Sequence, residues 1–309
     1  MKRVLAIDGG GIRGIIPAIL CRAFETWSGK RICELFDLVA GTSTGGILAL
    51  GFAVPPDGLE AESLVRLYEL HGNTIFGTPR SWLNRLKSPK YASTGLEHVL
   101  REYFGDSRLS EAIVEVLVTS YDIERRRPRV LKRWRALADH TQDCQMREAC
   151  RATSAAPTYF SPARVGERAL IDGGIYSNNP AALAFAEAKR RWPEEYILLV
   201  SLGTGSLQKP ILFDDANSWG LAGWAVPLLD CVFDGTSDLT HYIMRYTLSN
   251  QNYWRFQCKL GDGASERLDD VSKRNIVALK KLGEDLVNAN RHDISRLMTM
   301  LVNREVPAH

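Results

Sequence analysis

The chain has little net charge and no paired-cysteine motif, and each lack argues against a class of protein. Its 39 basic and 36 acidic residues leave a net charge of +3 over 309 residues, too little to indicate a nucleic-acid polymer as partner. The six cysteines are scattered without a Cys-x-x-Cys pair, so neither a zinc site nor a disulfide framework is indicated.

Long hydrophobic runs are also missing. Only four apolar residues separate Met1-Lys2-Arg3 from Asp8, fewer than a signal-peptide core requires, and no stretch approaches a membrane span. We therefore expect a cytoplasmic protein. With 45% hydrophobic and 24% charged residues and no linker or repeat, the composition predicts one globular domain over 1–309. Its core is expected at about 4–206, with 207–309 packing on it as a lid or an interface.

The pattern around Ser43 is that of a strand, a tight turn and a helix. The apolar run 36–40 predicts a buried strand and 47–54 an apolar helix, with Gly41 and Gly45 on either side of the serine. Such a turn holds serine in a strained conformation, and the helix directs its free N–H groups toward it. A glycine-rich turn that merely contains serine is the alternative, since with 25 glycines the string should occur by chance in roughly one such chain in eight.

A glycine loop, residues 8–14, follows the predicted strand 4–7 and has two interpretations. It matches the dinucleotide-binding pattern G-x-G-x-x-G, which would make Glu34 or Asp37 the ribose partner. The glycines that match are Gly9, Gly11 and Gly14. Alternatively, the loop is an oxyanion hole, because adjacent glycine N–H groups can face a developing charge. Only this second interpretation also uses Ser43, which the parallel-sheet connection would bring to the same edge.

A serine hydroxyl needs a positioned base, and the sequence offers two solutions. Asp172 ends an apolar run just before Gly173 and Gly174, where the backbone can approach another loop closely. It could orient a later histidine in a triad or accept the serine proton directly in a dyad. The histidines available to a triad are His241, His292 and His309.

Several further stretches are open to more than one interpretation. The basic segment 79–87 could contact lipid or be a solvated loop, and the arginine-rich segment 125–135 could hold a phosphate or be a solvated hairpin tip. The apolar stretch 220–233 is a lid, an interface or core. A strand is predicted at 130–134, and one helix is predicted over 272–302.

The motifs together resemble those of patatin-like phospholipases. Asp8-Gly-Gly-Gly-Ile-Arg-Gly14, Gly41-Thr-Ser-Thr-Gly-Gly46 and Asp172-Gly-Gly174 stand in the family's order and spacing. The likeness also includes 152–160, 178–180 and 201–205, so it spans nearly the whole chain.

The resemblance implies a three-layer α/β/α sandwich of patatin type with a mainly parallel central sheet. It implies a Ser43–Asp172 dyad that hydrolyses glycerophospholipid acyl esters through an acyl-enzyme. Backbone N–H groups of Gly10 and Gly11 would form the oxyanion hole, and Arg13 matches the family's arginine there. No metal and no other cofactor is expected. A nucleotide-binding module and a non-enzymatic signalling scaffold are the alternatives.

Within that family, four segments are similar to bacterial phospholipases switched on by cyclic dinucleotides. They are Lys90-Tyr91, 104–106, 227–235 and 253–257. This likeness implies an antiphage effector that degrades membrane phospholipids at the inner membrane surface, with a cyclic dinucleotide as activator. The 125–135 cluster is then one candidate activator site, and a homo-oligomer is a further expectation.

Overall fold

We describe the protein from a computed structural model, of which residues 1–81, 88–261 and 263–304 are described. These residues contain one eight-stranded sheet. Its strands are β1 (Lys2–Ile7), β2 (Leu38–Gly41), β3 (Glu115–Asp122), β4 (Arg127–Lys132), β5 (Ala163–Val165), β6 (Arg168–Asp172), β7 (Ile197–Leu202) and β8 (Tyr253–Phe256).

Helices lie between most of these strands. They are α1 (Ile15–Ser28), α2 (Ile32–Leu35), α3 (Thr44–Ala53), α4 (Ala61–Phe76), α5 (Thr94–Phe104), α6 (Arg133–Ala138), α7 (Met146–Thr153), α8 (Gly174–Ser177), α9 (Ala181–Arg191), α10 (Phe213–Ser218), α11 (Leu221–Trp224), α12 (Pro227–Thr247), α13 (Lys273–Ala289) and α14 (Arg291–Asn303). None of the helices in the described ranges is long and apolar enough to cross a bilayer.

The parallel part of the sheet is buried on both faces. Strands β3, β2, β1, β7 and β8 lie side by side in that order, each parallel to its neighbour. Along β1, Leu5 and Ile7 belong to one hydrophobic core while Val4 and Ala6 belong to the other. Because successive side chains of a strand point to opposite faces, such a strand needs an uninterrupted apolar run.

Helices cover both faces, which confirms the three-layer α/β/α sandwich. The larger core packs the sheet against α1, α3, α4 and the C-terminal helices α13 and α14. The smaller core packs the opposite face against α9 and α12. Helix α3 lies between sheet and outer helices and is buried along its whole length, which explains why its sequence is apolar on every side.

The antiparallel strand pairing brings the ends of β2 and β6 together on one edge of β3. Strand β4 pairs with β3 along 117–122, so β2 and β6 must share the other edge. On that edge, Gly41 at the end of β2 pairs with Val118, and Asp172 at the end of β6 pairs with Ser120. Strands β2 and β6 therefore run toward each other, and their ends are two β3 residues apart.

Two predicted elements have different bounds in the structure. The helix predicted over 272–302 is divided at Asn290, which ends α13 and begins α14. The Leu286 carbonyl accepts from both the backbone N–H and the side-chain amide of Asn290, so the Asn290 side chain adds a second bond at the break. The strand predicted at 130–134 ends at Lys132, because Arg133 begins a helix and its guanidinium donates to the Ala112 carbonyl.

Candidate active site

Ser43 occupies a strained turn between β2 and α3. Its φ of 55° and ψ of −122° are unusual for a residue with a side chain, and it is the N-cap residue of α3. Two contacts require the flanking glycines. A Cβ on Gly41 would lie 2.1 Å from the carbonyl oxygen of Gly45, and one on Gly45 would lie 2.2 Å from the carbonyl oxygen of Ile7. The turn therefore depends on glycine at both positions.

Asp172 ends β6 and lies in the same pocket as Ser43. Its Oδ1 accepts a 2.8 Å bond from the Gly174 N–H, whereas Oδ2 is buried with no hydrogen-bond partner among the described residues. Burial raises the pKa of Asp172 to about 7, and the Ser43 hydroxyl and the Gly174 N–H lower it only in part. A carboxyl with this pKa can gain and lose a proton near neutral pH.

The pocket around these two groups is apolar. Its walls include Ile47, Ile75, Phe76, Leu96, Phe160 and Phe233. The free volume is about 50 Å³, far below the ~300 Å³ at which ligand pockets usually begin. This lining suits a hydrocarbon chain, but a long chain requires the walls to move.

The glycine loop supplies the wall beside Ser43. Gly10 and Gly11 line the pocket, whereas Arg13 lies outside the lining. The Arg13 guanidinium is buried and donates to the carbonyl oxygens of Gly10 (3.2 Å) and Glu266 (3.4 Å). Of the three residues predicted for an oxyanion hole, Gly10 and Gly11 therefore line the pocket beside Ser43, whereas Arg13 braces the loop from outside it.

Three short motifs noted for their family likeness prove to be supports of the site. Thr153 accepts a 2.8 Å bond from the Ser43 N–H, Asn178 accepts from the Gly9 N–H through its carbonyl, and Thr204 donates to the Gly9 carbonyl at 2.7 Å. The turn at 202–205 thus holds the glycine loop. In the sequence, these supports are indicated only by a polar residue at the end of each strand or helix concerned.

Arg255 is a residue that sequence reasoning missed. From β8 it forms a buried two-pronged ion pair with Asp8, with Nη1 2.8 Å from Oδ1 and Nη2 2.6 Å from Oδ2, and it also reaches Ser201 Oγ at 2.8 Å. Burial raises the pKa of Asp8, and Arg255 opposes this effect. The pair fixes the start of the glycine loop to the last strand. An arginine inside an apolar strand pattern was the signal.

No described histidine lines the pocket, although three were available to a triad. His241 lies on α12 with Nδ1 3.1 Å from the Tyr253 hydroxyl, and His292 is exposed on α14. His309 lies outside the described residues. The arrangement favours the dyad over the triad.

The dinucleotide interpretation of the glycine loop does not fit the structure. Asp37 lies at the amino end of β2, where it pairs with Arg3 at 2.9 Å, while the loop lies at the carboxyl end of β1. Glu34 accepts from the Arg31 N–H in the same region. Both acidic groups are thus at the opposite edge of the sheet from the loop they would have to assist.

The arginine-rich segment 125–135 lies on the β3–β4 hairpin and next to β6. Asp122 pairs with Arg125 and Arg168 there. A cleft of about 320 Å³ between these elements is lined by several basic side chains and one carboxylate, Asp122. The basic residues are Arg127, Arg129, Lys132, Arg135 and Arg168. The segment 79–87, predicted to contact lipid or solvent, lies largely outside the described residues.

Comparison with known proteins places the chain in a family. The model of the family described as patatin-like phospholipase matches residues 5–185. Patatin-like protein 2 of Oryza sativa is 30% identical, with 94% of this chain and 84% of the relative covered. Patatin-03 of Solanum tuberosum is 31% identical over 93% of this chain and 84% of its own length. The solved structure of VipD from Legionella pneumophila has a TM-score of 0.48 at 11% identity, covering 93% of this chain and 67% of VipD.

The sandwich fold and the apolar pocket beside Ser43 indicate an α/β acyl hydrolase. The chain belongs to the patatin-like phospholipase family and is a lipid acyl hydrolase. The expected family and fold class are confirmed. The roles of individual residues remain predictions.

Proposed function

We propose that the protein hydrolyses acyl esters of glycerophospholipids with Ser43 as nucleophile and Asp172 as general base. One observation carries the proposal: a strained serine and a buried carboxyl with an unpartnered oxygen lie in one apolar pocket. The family description, patatin-like phospholipase, supports the choice of substrate.

In the first half of the reaction, Asp172 accepts the Ser43 proton as Oγ attacks the ester carbonyl carbon. The resulting oxyanion faces the N–H groups of Gly10 and Gly11 and the N-terminus of α3. Collapse of this intermediate breaks the ester bond, and Asp172 returns the proton to the leaving alcohol, which departs as a lysophospholipid.

In the second half, water attacks the acyl-enzyme. Asp172 accepts a proton from the water, a second tetrahedral intermediate forms, and its collapse releases the fatty acid while Ser43 regains its proton. One molecule of water is consumed for each ester bond cleaved, and no other reactant is needed.

The test measures fatty acid release from mixed phospholipids by three purified proteins: wild type, Ser43→Ala and Asp172→Asn. Loss of a nucleophile or base should lower the rate by about 10³-fold or more while the circular dichroism spectrum stays that of wild type. A fluorophosphonate probe should label wild type and Ser154→Ala, since Ser154 bonds a helix carbonyl, but not Ser43→Ala. Substantial activity of Asp172→Asn would contradict the dyad, and absence of labelling would favour a non-enzymatic scaffold.

We also propose that an anionic activator, a cyclic dinucleotide, binds the basic cleft and switches on the enzyme in antiphage defence. The likeness to dinucleotide-activated phospholipases supports this regulation, as does the buried Arg129 Nε, which has no partner within the described residues. The cell-level expectation is activity at the inner membrane surface.

A panel of cyclic dinucleotides tests the regulation. Fatty acid release should rise with one member, and Arg129→Gln should raise the concentration needed about tenfold. Arg126→Gln, at the hairpin tip outside the cleft lining, is the matched control. Sedimentation with and without nucleotide reports self-association. Activity that no nucleotide changes would remove the regulatory proposal.

A further inference from the structure

The segment 210–232 exposes an unusual density of large apolar side chains. Seven of the 17 large hydrophobic residues exposed in the described part of the chain lie between 211 and 228. They are Ile211, Leu212, Phe213, Leu221, Trp224, Val226 and Leu228, with Leu221 95% and Phe213 79% exposed. Helices α10 and α11 bury none of their residues. Such a concentration marks an interaction surface.

Both ends of this segment are anchored beside the site. At its start, the N–H groups of Gln208 and Lys209 donate to Glu266 Oε1 at 2.6 and 2.9 Å, and the Glu266 carbonyl accepts from Arg13. At its end, Phe233 enters the pocket wall. The exposed apolar side chains therefore belong to a segment whose two ends both lie beside the pocket.

The pocket has little free space while Phe233 remains in its wall. Its volume of about 50 Å³ holds less than a long acyl chain, and a Cβ on Gly174 would already lie 2.8 Å from the Phe233 ring. Phe233 lies on α12, the helix whose first residues belong to the exposed segment 210–232. A displacement of segment 210–232 can therefore be transmitted through α12 to Phe233, the part of the pocket wall that must move for a lipid to enter.

The charge of the segment selects among partners. Residues 210–232 contain no lysine or arginine and three aspartates, Asp214, Asp215 and Asp230. Attraction to anionic lipid headgroups is therefore excluded as the driving force, and burial of apolar area remains. The rings of Trp219 and Trp224 lie 5.3 Å apart within the segment, and tryptophan favours the boundary between headgroups and acyl chains.

We propose that residues 210–232 insert into the surface of a phospholipid bilayer and that this contact moves α12 and Phe233 to admit an acyl chain. The proposal rests on the proposed phospholipase function and specifies how that site meets its substrate. Binding should occur on zwitterionic bilayers and depend little on salt, because no cation of the segment participates.

Binding and hydrolysis are measured separately, so that failure of the proposed chemistry leaves the binding result readable. In the Ser43→Ala background, the protein is sedimented with phosphatidylcholine vesicles at low and high salt. The change Phe213→Ser with Leu221→Ser should raise the lipid concentration for half-binding about tenfold or more. Leu137→Ser with Val277→Ser, which removes two exposed apolar side chains from α6 and α13, is the matched control and should bind as wild type.

In the otherwise unaltered enzyme, the ratio of the rate on vesicles to the rate on a monomeric short-chain ester should fall about tenfold in the Phe213/Leu221 double variant. The control keeps the wild-type ratio. Equal vesicle binding by both double variants would overturn the proposal. A second pair of results would also overturn it: wild type does not bind vesicles but forms a dimer, and the Phe213/Leu221 variant no longer forms that dimer. The surface would then be an interface between copies of the chain.

Discussion

Replacing Asp172 by asparagine should make the folded protein more stable at alkaline pH relative to wild type, even as it removes the proposed base. The carboxyl has a pKa of about 7 in the folded protein, against an ordinary value of 3.8. Holding it ionised therefore costs the folded state about 4 kcal/mol. The folded state binds this proton more tightly than the unfolded state, so stability falls as pH rises from about 4 to about 7 and is then constant.

The contribution of the Asp172 carboxyl to the free energy of unfolding differs between acidic and alkaline pH. Between pH 5 and pH 8.5, a carboxyl with these two pKa values lowers the free energy of unfolding by about 3 kcal/mol. Asparagine does not ionise, so the variant lacks this loss, while any fixed cost of its amide group cancels. The bond from Gly174 N–H to Oδ1 can be kept by the amide oxygen.

Urea denaturation of wild type and Asp172→Asn at both pH values is the assay. The stability of the variant relative to wild type should increase by about 3 kcal/mol on going from pH 5 to pH 8.5. A stability difference that is the same at both pH values would show that burial does not hold the carboxyl protonated, and would remove the physical basis for assigning it as a base near neutral pH.

Three further predictions concern the site and its supports. The kcat/KM for a monomeric ester should rise with pH and reach half its plateau at about pH 7, because Asp172 must lose its proton to act; a pH-independent rate would contradict this role. Gly45→Ala should lower the free energy of unfolding, measured by urea denaturation, by at least about 3 kcal/mol, because its Cβ would lie 2.2 Å from a carbonyl oxygen of β1. Gly235→Ala is the control: a Cβ there would meet open space, so the change should be neutral or stabilising. Arg255→Met should cost about 3–5 kcal/mol by leaving Asp8 buried and unpaired, and adding Asp8→Asn should recover part of it; no recovery would show that lost packing dominates.

The parts of the site that sequence revealed are those encoded by neighbours in the chain. The turn at Ser43 needs glycine two residues before and after it, because backbone atoms pass within contact distance there. The same local logic marked the loop after β1 and the Gly173–Gly174 corner. The alternating cores around β1 explain why its apolar run predicted a buried parallel strand.

The parts that sequence did not reveal depend on contacts between distant segments. Arg255 pairs with Asp8 across 247 residues, and nothing near Arg255 in the chain identifies its partner. The break at Asn290, where φ is −107° and ψ is 19°, lies inside a sequence pattern that otherwise continues as a helix. The shared edge of β3 requires both the parallel and the antiparallel strand pairings to be known.

That shared edge gives the enzyme a weak point of its own. Strand β6 joins β3 through only three residue pairs, and its other neighbour, β5, has three residues. The β5–β6 hairpin can therefore open at a lower free energy than the parallel strands, carrying Asp172 away from Ser43 while most of the sheet stays intact. Activity should be lost at a lower urea concentration than the helical signal, with amide hydrogens of residues 168–172 exchanging before those of β1 and β7.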